Sequence, residues 1–108
     1  MYRKGKGAEN NMRENVIEGY LRDQVKAIGG KAYKFVSPGN AGVPDRLICL
    51  PGDKYVFVET KATGKKSTPL QIKQQNDFMK RGSRVFADID SKEKVDQIIT
   101  VCKGLIKA

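Results

Sequence analysis

Histidine is absent from all 108 residues, and that one omission closes off several chemistries. Ser-His-Asp and Cys-His catalysis both need an imidazole, and so do histidine-based metal sites. Cysteine is nearly as scarce. Cys49 falls in an apolar run and Cys102 in an expected helix, with no Cys-x-x-Cys pair to grip zinc. Two such cysteines suit a reducing compartment, and both read as buried packing residues. No apolar run nears the ~20 residues of a membrane span, and no signal-peptide pattern opens the chain. A cytoplasmic protein (or a nuclear one, in a host with a nucleus) and no membrane partner are therefore expected. Aromatic residues are only 7%, which gives little support to stacking on single-stranded bases. Acidic residues are also short: 12 against 21 lysines and arginines, a net charge of +9. Such a surplus makes a polyanion, nucleic acid above all, the default partner. A surplus that serves solubility alone stays open.

The length suits one domain with a single core. Residues 1–11 are basic and glycine-rich, without apolar periodicity, and read as a flexible arm; residues 12–108 read as one folded domain without internal repeats. From Met12 to Ile28, Val16, Ile17, Tyr20, Leu21, Val25 and Ile28 recur at helical spacing, and Gly29-Gly30 ends the helix. Lys31 to Val36 is a weak first strand. The segment Ser37-Pro-Gly-Asn-Ala-Gly must be a loop. A second strand starts at Val43-Pro44-Asp45-Arg46 and buries Leu47 to Leu50. Pro51-Gly52-Asp53 turns the chain into a third, Lys54 to Lys61. Thr68-Pro69-Leu70-Gln71 combines a capping threonine, proline at the first helical position and glutamine three residues on, which starts a helix running to about Arg81. Leu70, Ile72, Phe78 and Met79 are its apolar members. Arg84 to Ile89 is a fourth strand, and Ser91 caps a last helix. The order is helix, three strands, helix, strand, helix, an α/β arrangement with a central mixed sheet flanked by helices.

Along the third strand Tyr55, Phe57, Glu59 and Lys61 share one face, because side chains alternate. Asp45 waits upstream. If it pairs directly with Glu59 across the hairpin, their Cβ atoms lie about 4.5–5.5 Å apart. Two carboxylates that close raise each other's pKa unless a cation stands between them. Two acids and a lysine can hold a hard cation and position a water beside it. Glu14 and Glu18, four apart on the first helix, border its apolar stripe; a solvated pair is the plain alternative. Lys65, Lys66, Lys73 and Arg84, with Lys54 and Arg81, could follow a nucleic-acid backbone, though for each a merely solvated side chain is as good a reading.

Pro44-Asp45 followed by Glu59-Thr60-Lys61 resembles the signature of the PD-(D/E)xK nuclease superfamily, whose restriction-endonuclease-like αβββαβ core matches the order above. More closely, Ser37-Pro-Gly-Asn-Ala-Gly-Val-Pro-Asp-Arg, Val58-Glu-Thr-Lys and Thr68-Pro-Leu-Gln resemble the VRR-NUC branch, from about Met12 to past Asp90. The resemblance implies that Asp45, Glu59 and the Thr60 carbonyl hold Mg2+ (or Mn2+), while Lys61 orients or helps deprotonate the water. It makes Gln71 a match for a family glutamine, and Glu14, or else Glu18, the first-helix acid. The family's histidine-containing variants are not matched. Without a large added domain the chain looks like a stand-alone bacterial or viral form, similar to Holliday-junction resolving enzymes. The implied activity is structure-selective endonuclease cleavage of branched DNA, by a homodimer that would suit a two-fold junction. A non-catalytic nucleic-acid-binding module of the same fold and a sequence-specific restriction-type nuclease are the alternatives.

Overall fold

The structure is a computed structural model and describes residues 11–108; the expected basic arm, apart from Asn11, lies outside the described residues. Three helices and four strands follow one another as α1 (Glu14–Ala27), β1 (Lys31–Lys34), β2 (Arg46–Leu50), β3 (Lys54–Thr60), α2 (Pro69–Lys80), β4 (Val85–Ile89) and α3 (Lys92–Lys107). The strands form one mixed sheet in the order β1-β2-β3-β4. β1, β2 and β3 are antiparallel neighbours, while β4 lies parallel to β3. This is the expected α/β arrangement. β1 stops two residues earlier than its apolar content suggests, although Phe35 N–H still bonds the carbonyl of Asp45, the next residue in register, at 2.8 Å.

α1 is helical because Ile17, Leu21 and Val25 recur every four residues, and all three are fully buried. Its end is set by two glycines. Gly30 N–H bonds the Val25 carbonyl at 3.0 Å and Gly29 N–H bonds that of Lys26 at 3.0 Å, with Gly29 at φ 89. That pair of bonds closes a helix against a left-handed residue. A Cβ on Gly30 would stand 2.8 Å from the Cys49 carbonyl, so glycine here also lets β2 approach.

Ile48, Val56 and Val58 meet this stripe from one sheet face, and Val95, Ile98, Ile99 and Cys102 of α3 complete the core. Burying each such aliphatic side chain stabilises the fold by about 1.5–3 kcal/mol, so Ile48→Ala is the kind of change that would cost about 2–5 kcal/mol. Lys54 is not a free cation for nucleic acid. Its ammonium donates to the Leu105 carbonyl at 3.0 Å, near the carboxyl end of α3, where a positive charge is favoured.

The other sheet face is covered differently. Phe57 stacks on Phe78 of α2 with ring centroids 4.5 Å apart, and Phe35 meets both edge-on. Phe78 is thus the apolar residue that docks α2, while Leu70, Ile72 and Met79 each remain 47% exposed. The buried residue of α2 is polar, Gln75. Cys49 and Tyr55 lie on this face beyond the reach of α2, and Cys49 is exposed, not the packing residue expected of it. Cys102 is buried as expected.

Candidate active site

The β2–β3 register runs Leu50↔Lys54 to Arg46↔Val58, and one further pair would set Asp45 opposite Glu59. The strand ends there, and the two carboxylates take different hydrogen-bond partners. Asp45 reaches Thr60: its Oδ1 accepts from the Thr60 N–H at 2.8 Å and its Oδ2 from the Thr60 hydroxyl at 2.7 Å. Thr60 has the parity of Val56 and Val58, so its hydroxyl points to the α1 face, and there it also approaches Glu14 Oε2 at 3.3 Å. Glu14, Glu18 and Asp45 each bring an oxygen within 4.8 Å of the other two.

The amino end of α1 is tied in place by its own backbone. Met12 N–H donates to Thr63 Oγ1 at 2.9 Å, and the Met12 carbonyl accepts from Thr63 N–H at 2.9 Å. Glu14, two residues on, is therefore carried to the end of β3. Glu18 is committed elsewhere. Arg46, buried on the core face of β2, holds its Oε2 at 3.3 Å and also donates to the Ala32 carbonyl. This leaves Glu14 as the first-helix acid less engaged by a cation.

Glu59 shares the face of Phe57 and looks toward α2. Its Oε2 accepts from Gln71 Nε2 at 3.3 Å and lies 3.9 Å from the Lys61 ammonium. Lys61 in turn donates to Gln71 Oε1 at 2.7 Å. Gln71 stands at this junction because of the capping box: the Thr68 hydroxyl accepts from the Gln71 N–H while Gln71 Oε1 accepts from the Thr68 N–H. One glutamine thus closes the helix start and braces Lys61 and Glu59. Gly42, at φ 92, lets the preceding loop pack against Leu70, whose carbonyl and Cγ a Cβ there would meet at 3.0 Å.

Electrostatics mark both acids. Burial first, then the negative charge of Asp45, pushes the Glu59 carboxyl up to about 7; Lys61 opposes this, and Glu14 and Asp88 add to it. Burial likewise pushes Asp45 up to about 6, with the Thr60 hydroxyl working against it and Glu18 adding to the rise. Lys61 only partly offsets the negative charge gathered here. Glu59 Oε1 is buried and has no hydrogen-bond partner among the described residues. An orphaned buried carboxylate oxygen costs several kcal/mol of solvation on general grounds (~1–3 kcal/mol even for a neutral group), and a divalent cation satisfies it. The hard oxygen donors present suit magnesium or manganese.

Of the residues picked out from the sequence, Glu14, Asp45, Glu59, Thr60, Lys61 and Gln71 converge on the end of β3. Lys65, Lys66, Lys73 and Arg84 are exposed. The first two sit on the loop between β3 and α2, and Lys73 follows Gln71 on α2. Arg84 is at the start of β4, about 13 Å of strand from Asp88. Sequence reading missed the Thr60 hydroxyl, which sits between Asp45 and Glu14, and the Arg46–Glu18 pair. A Thr between Glu59 and Lys61 and an Arg after Asp45 were the visible signals.

No family model matches the chain. It is 49% identical over 82 residues, 76% of its length and 87% of the relative's, to "Putative nuclease p44" of Acyrthosiphon pisum secondary endosymbiont phage 1. Among solved structures it is similar to one described as a VRR_NUC domain, with a TM-score of 0.76 and 33% identity, covering 82% of this chain and 96% of that one. No helix among the described residues is long and apolar enough to cross a membrane.

Proposed function

The chain belongs to the VRR-NUC family of nucleases, and from that membership we propose that it is a divalent-metal-dependent endonuclease that cuts DNA at branched structures such as four-way junctions. Asp45, Glu59 and the Thr60 carbonyl would hold the metal, Mg2+ or Mn2+, with Glu14 beside them. When bound, such an ion supplies charge neutralisation at the phosphoryl group and a nucleophile at neutral pH. The observation that carries this reading is Glu59 Oε1, buried and without a hydrogen-bond partner among the described residues, on a carboxyl that burial and the charge of Asp45 both push upward.

The chain's own residues then divide the work. Thr60 fixes the Asp45 carboxylate by two hydrogen bonds, so its orientation is set before substrate arrives. Gln71 holds the Lys61 ammonium by a 2.7 Å bond, which leaves that side chain's other protons free to orient a water or a phosphate oxygen. Lys65, Lys66 and Lys73 put exposed positive charge near the site, and Arg84 adds more at the other end of β4; together they would track the DNA backbone. The protein acts as a homodimer in the cytoplasm of a bacterial cell or phage-infected host, since a junction presents two strands related by a two-fold axis.

A panel of labelled flaps, splayed arms, four-way junctions, linear duplex and single strands, each with magnesium or with chelator, tests this. Magnesium-dependent cuts near the branch are expected, abolished by Lys61→Ala. Discrete cuts in linear duplex would make it a restriction-type enzyme. Binding without cleavage of any substrate would make it a binding module. Ultracentrifugation showing a monomer with and without junction DNA would remove the dimer.

A further inference from the structure

Asp88 belongs to no motif singled out from the sequence, yet it stands where β4 breaks its pairing with β3. The register runs Phe57↔Val85, Val58↔Phe86, then Thr60↔Ile89. Three residues of β3, 58 to 60, therefore face four of β4, and the extra residue lodges beside Glu59. Bulges of this kind re-aim a side chain next to a site. Asp88 adopts φ 56, a left-handed conformation disfavoured for L residues and least so for Asn and Asp.

What this conformation achieves is a specific set of bonds. Asp88 Oδ1 accepts from the Ser67 N–H and from the Ser67 hydroxyl, both at 2.7 Å. Ser67 Oγ accepts in turn from Gln75 Nε2 at 2.9 Å, and Gln75 is the buried residue of α2. Lys94 Nζ holds the Asp88 carbonyl at 3.3 Å and the Asp90 carboxylate at 2.9 Å. Ser67 directly precedes Thr68, the cap whose partner is Gln71, and Gln71 braces Lys61 and Glu59. Hydrogen bonds on either side of the Ser67–Thr68 peptide link thus connect the bulge to the reactive end of β3.

We propose that Asp88 is a positioning residue for the nuclease reaction: from the bulge opposite Glu59 its carboxylate anchors Ser67 and so fixes the amino end of α2, keeping Gln71 in contact with Lys61 and Glu59. The inference rests on the nuclease reading for its kinetic part only. Two substitutions separate anchoring from folding. Asp88→Gly keeps the left-handed backbone without cost and removes the acceptor; Asp88→Asn keeps both the backbone and an oxygen that accepts from Ser67. With Asp88→Gly, kcat is expected to fall roughly 10–100-fold, the range for groups that orient catalytic ligands, while KM for DNA holds. Asp88→Asn restores kcat. In nitrogen-resolved NMR of the metal-free protein, the Gln71 side-chain amide moves and the Ser67 amide loses exchange protection in Asp88→Gly but not in Asp88→Asn. Parental kcat in Asp88→Gly overturns the proposal, and so does an unmoved Gln71 amide. If the parent cuts no DNA, the nuclease reading falls and the Gln71 amide alone decides the role of Asp88.

Discussion

Thr60 gives both of its donors to one carboxylate: its N–H lies 2.8 Å from Asp45 Oδ1 and its hydroxyl 2.7 Å from Asp45 Oδ2. The hydroxyl is fully buried, so nothing else in the fold can replace it. Thr60→Val keeps the shape and removes that bond, leaving Asp45 Oδ2 and Glu14 Oε2 without their shared donor. A loss of about 1–3 kcal/mol in stability is expected, with a fall in cleavage rate. Urea unfolding beside single-turnover cleavage checks both, and unchanged values in each would show that Thr60 is only a space-filler.

The raised acids give the protein an unusual pH dependence. Glu59, at about 7 chiefly through burial and then Asp45, and Asp45, at about 6 chiefly through burial, hold protons that the unfolded chain releases near pH 4. Between roughly pH 4.5 and 7 the folded state therefore binds more protons, and metal-free stability falls as pH rises through that window. Glu59→Gln removes the buried charge. At pH 8, in chelator, the variant is expected to exceed the parent by on the order of 1–3 kcal/mol, a gap that closes towards pH 5. Unfolding curves at pH 5, 7 and 8 measure it; a gap independent of pH contradicts the assignment.

Metal binding should compete with those same protons. Mg2+ or Mn2+ at ten times its Kd raises stability by about 1.4 kcal/mol, several degrees in Tm for a domain of this size. The shift should be largest at pH 8 and shrink by pH 6, as the carboxylates reprotonate. Asp45→Asn should abolish it. Calorimetric scans at the two pH values, with calcium as a comparison ion, provide the measurement, and an undiminished shift in Asp45→Asn would show the ion to be bound elsewhere.

Lys65 and Lys66 lie on an exposed loop tied down by the Gly64 N–H to Asp90 bond at 2.9 Å. Replacing both by alanine should weaken DNA binding equally for all sequences and reduce the slope of log K against log salt by about 2, and Arg84→Ala by about 1. Catalytic rate at saturating DNA should hold. Binding titrations over a salt series read this directly; an unaltered slope would leave these residues as ordinary solvated charges.

Much of this architecture was legible in the residues themselves. Strand alternation placed Glu59 and Lys61 on one face, and Thr68-Pro69-Leu70-Gln71 announced a capping box that the structure contains. Spacing also gave the helix-and-strand order and the mixed sheet. Alternation fails just outside a strand's first residue, however, and so the turn of Asp45, which precedes β2, toward Thr60 was hidden. Cys49 reads as core because it sits among Leu47, Ile48 and Leu50, but only the even positions of that run face two helices. Burial depends on which face each helix covers, and a single strand's sequence does not carry that. The bulge at Asp88 arises from a parallel pairing across 28 residues, with no local turn residue to mark it.

β3 and β4 run in the same direction, so the chain must leave the sheet at Thr60, travel back along α2 and re-enter at Val85. Lys61 and Gln71 both belong to the outward leg of that journey. The homeward leg, residues 81–84, takes no part in the bonds around Glu59. That short segment can therefore change in sequence and length while the bonds that hold Lys61 and Gln71 beside Glu59 stay as they are.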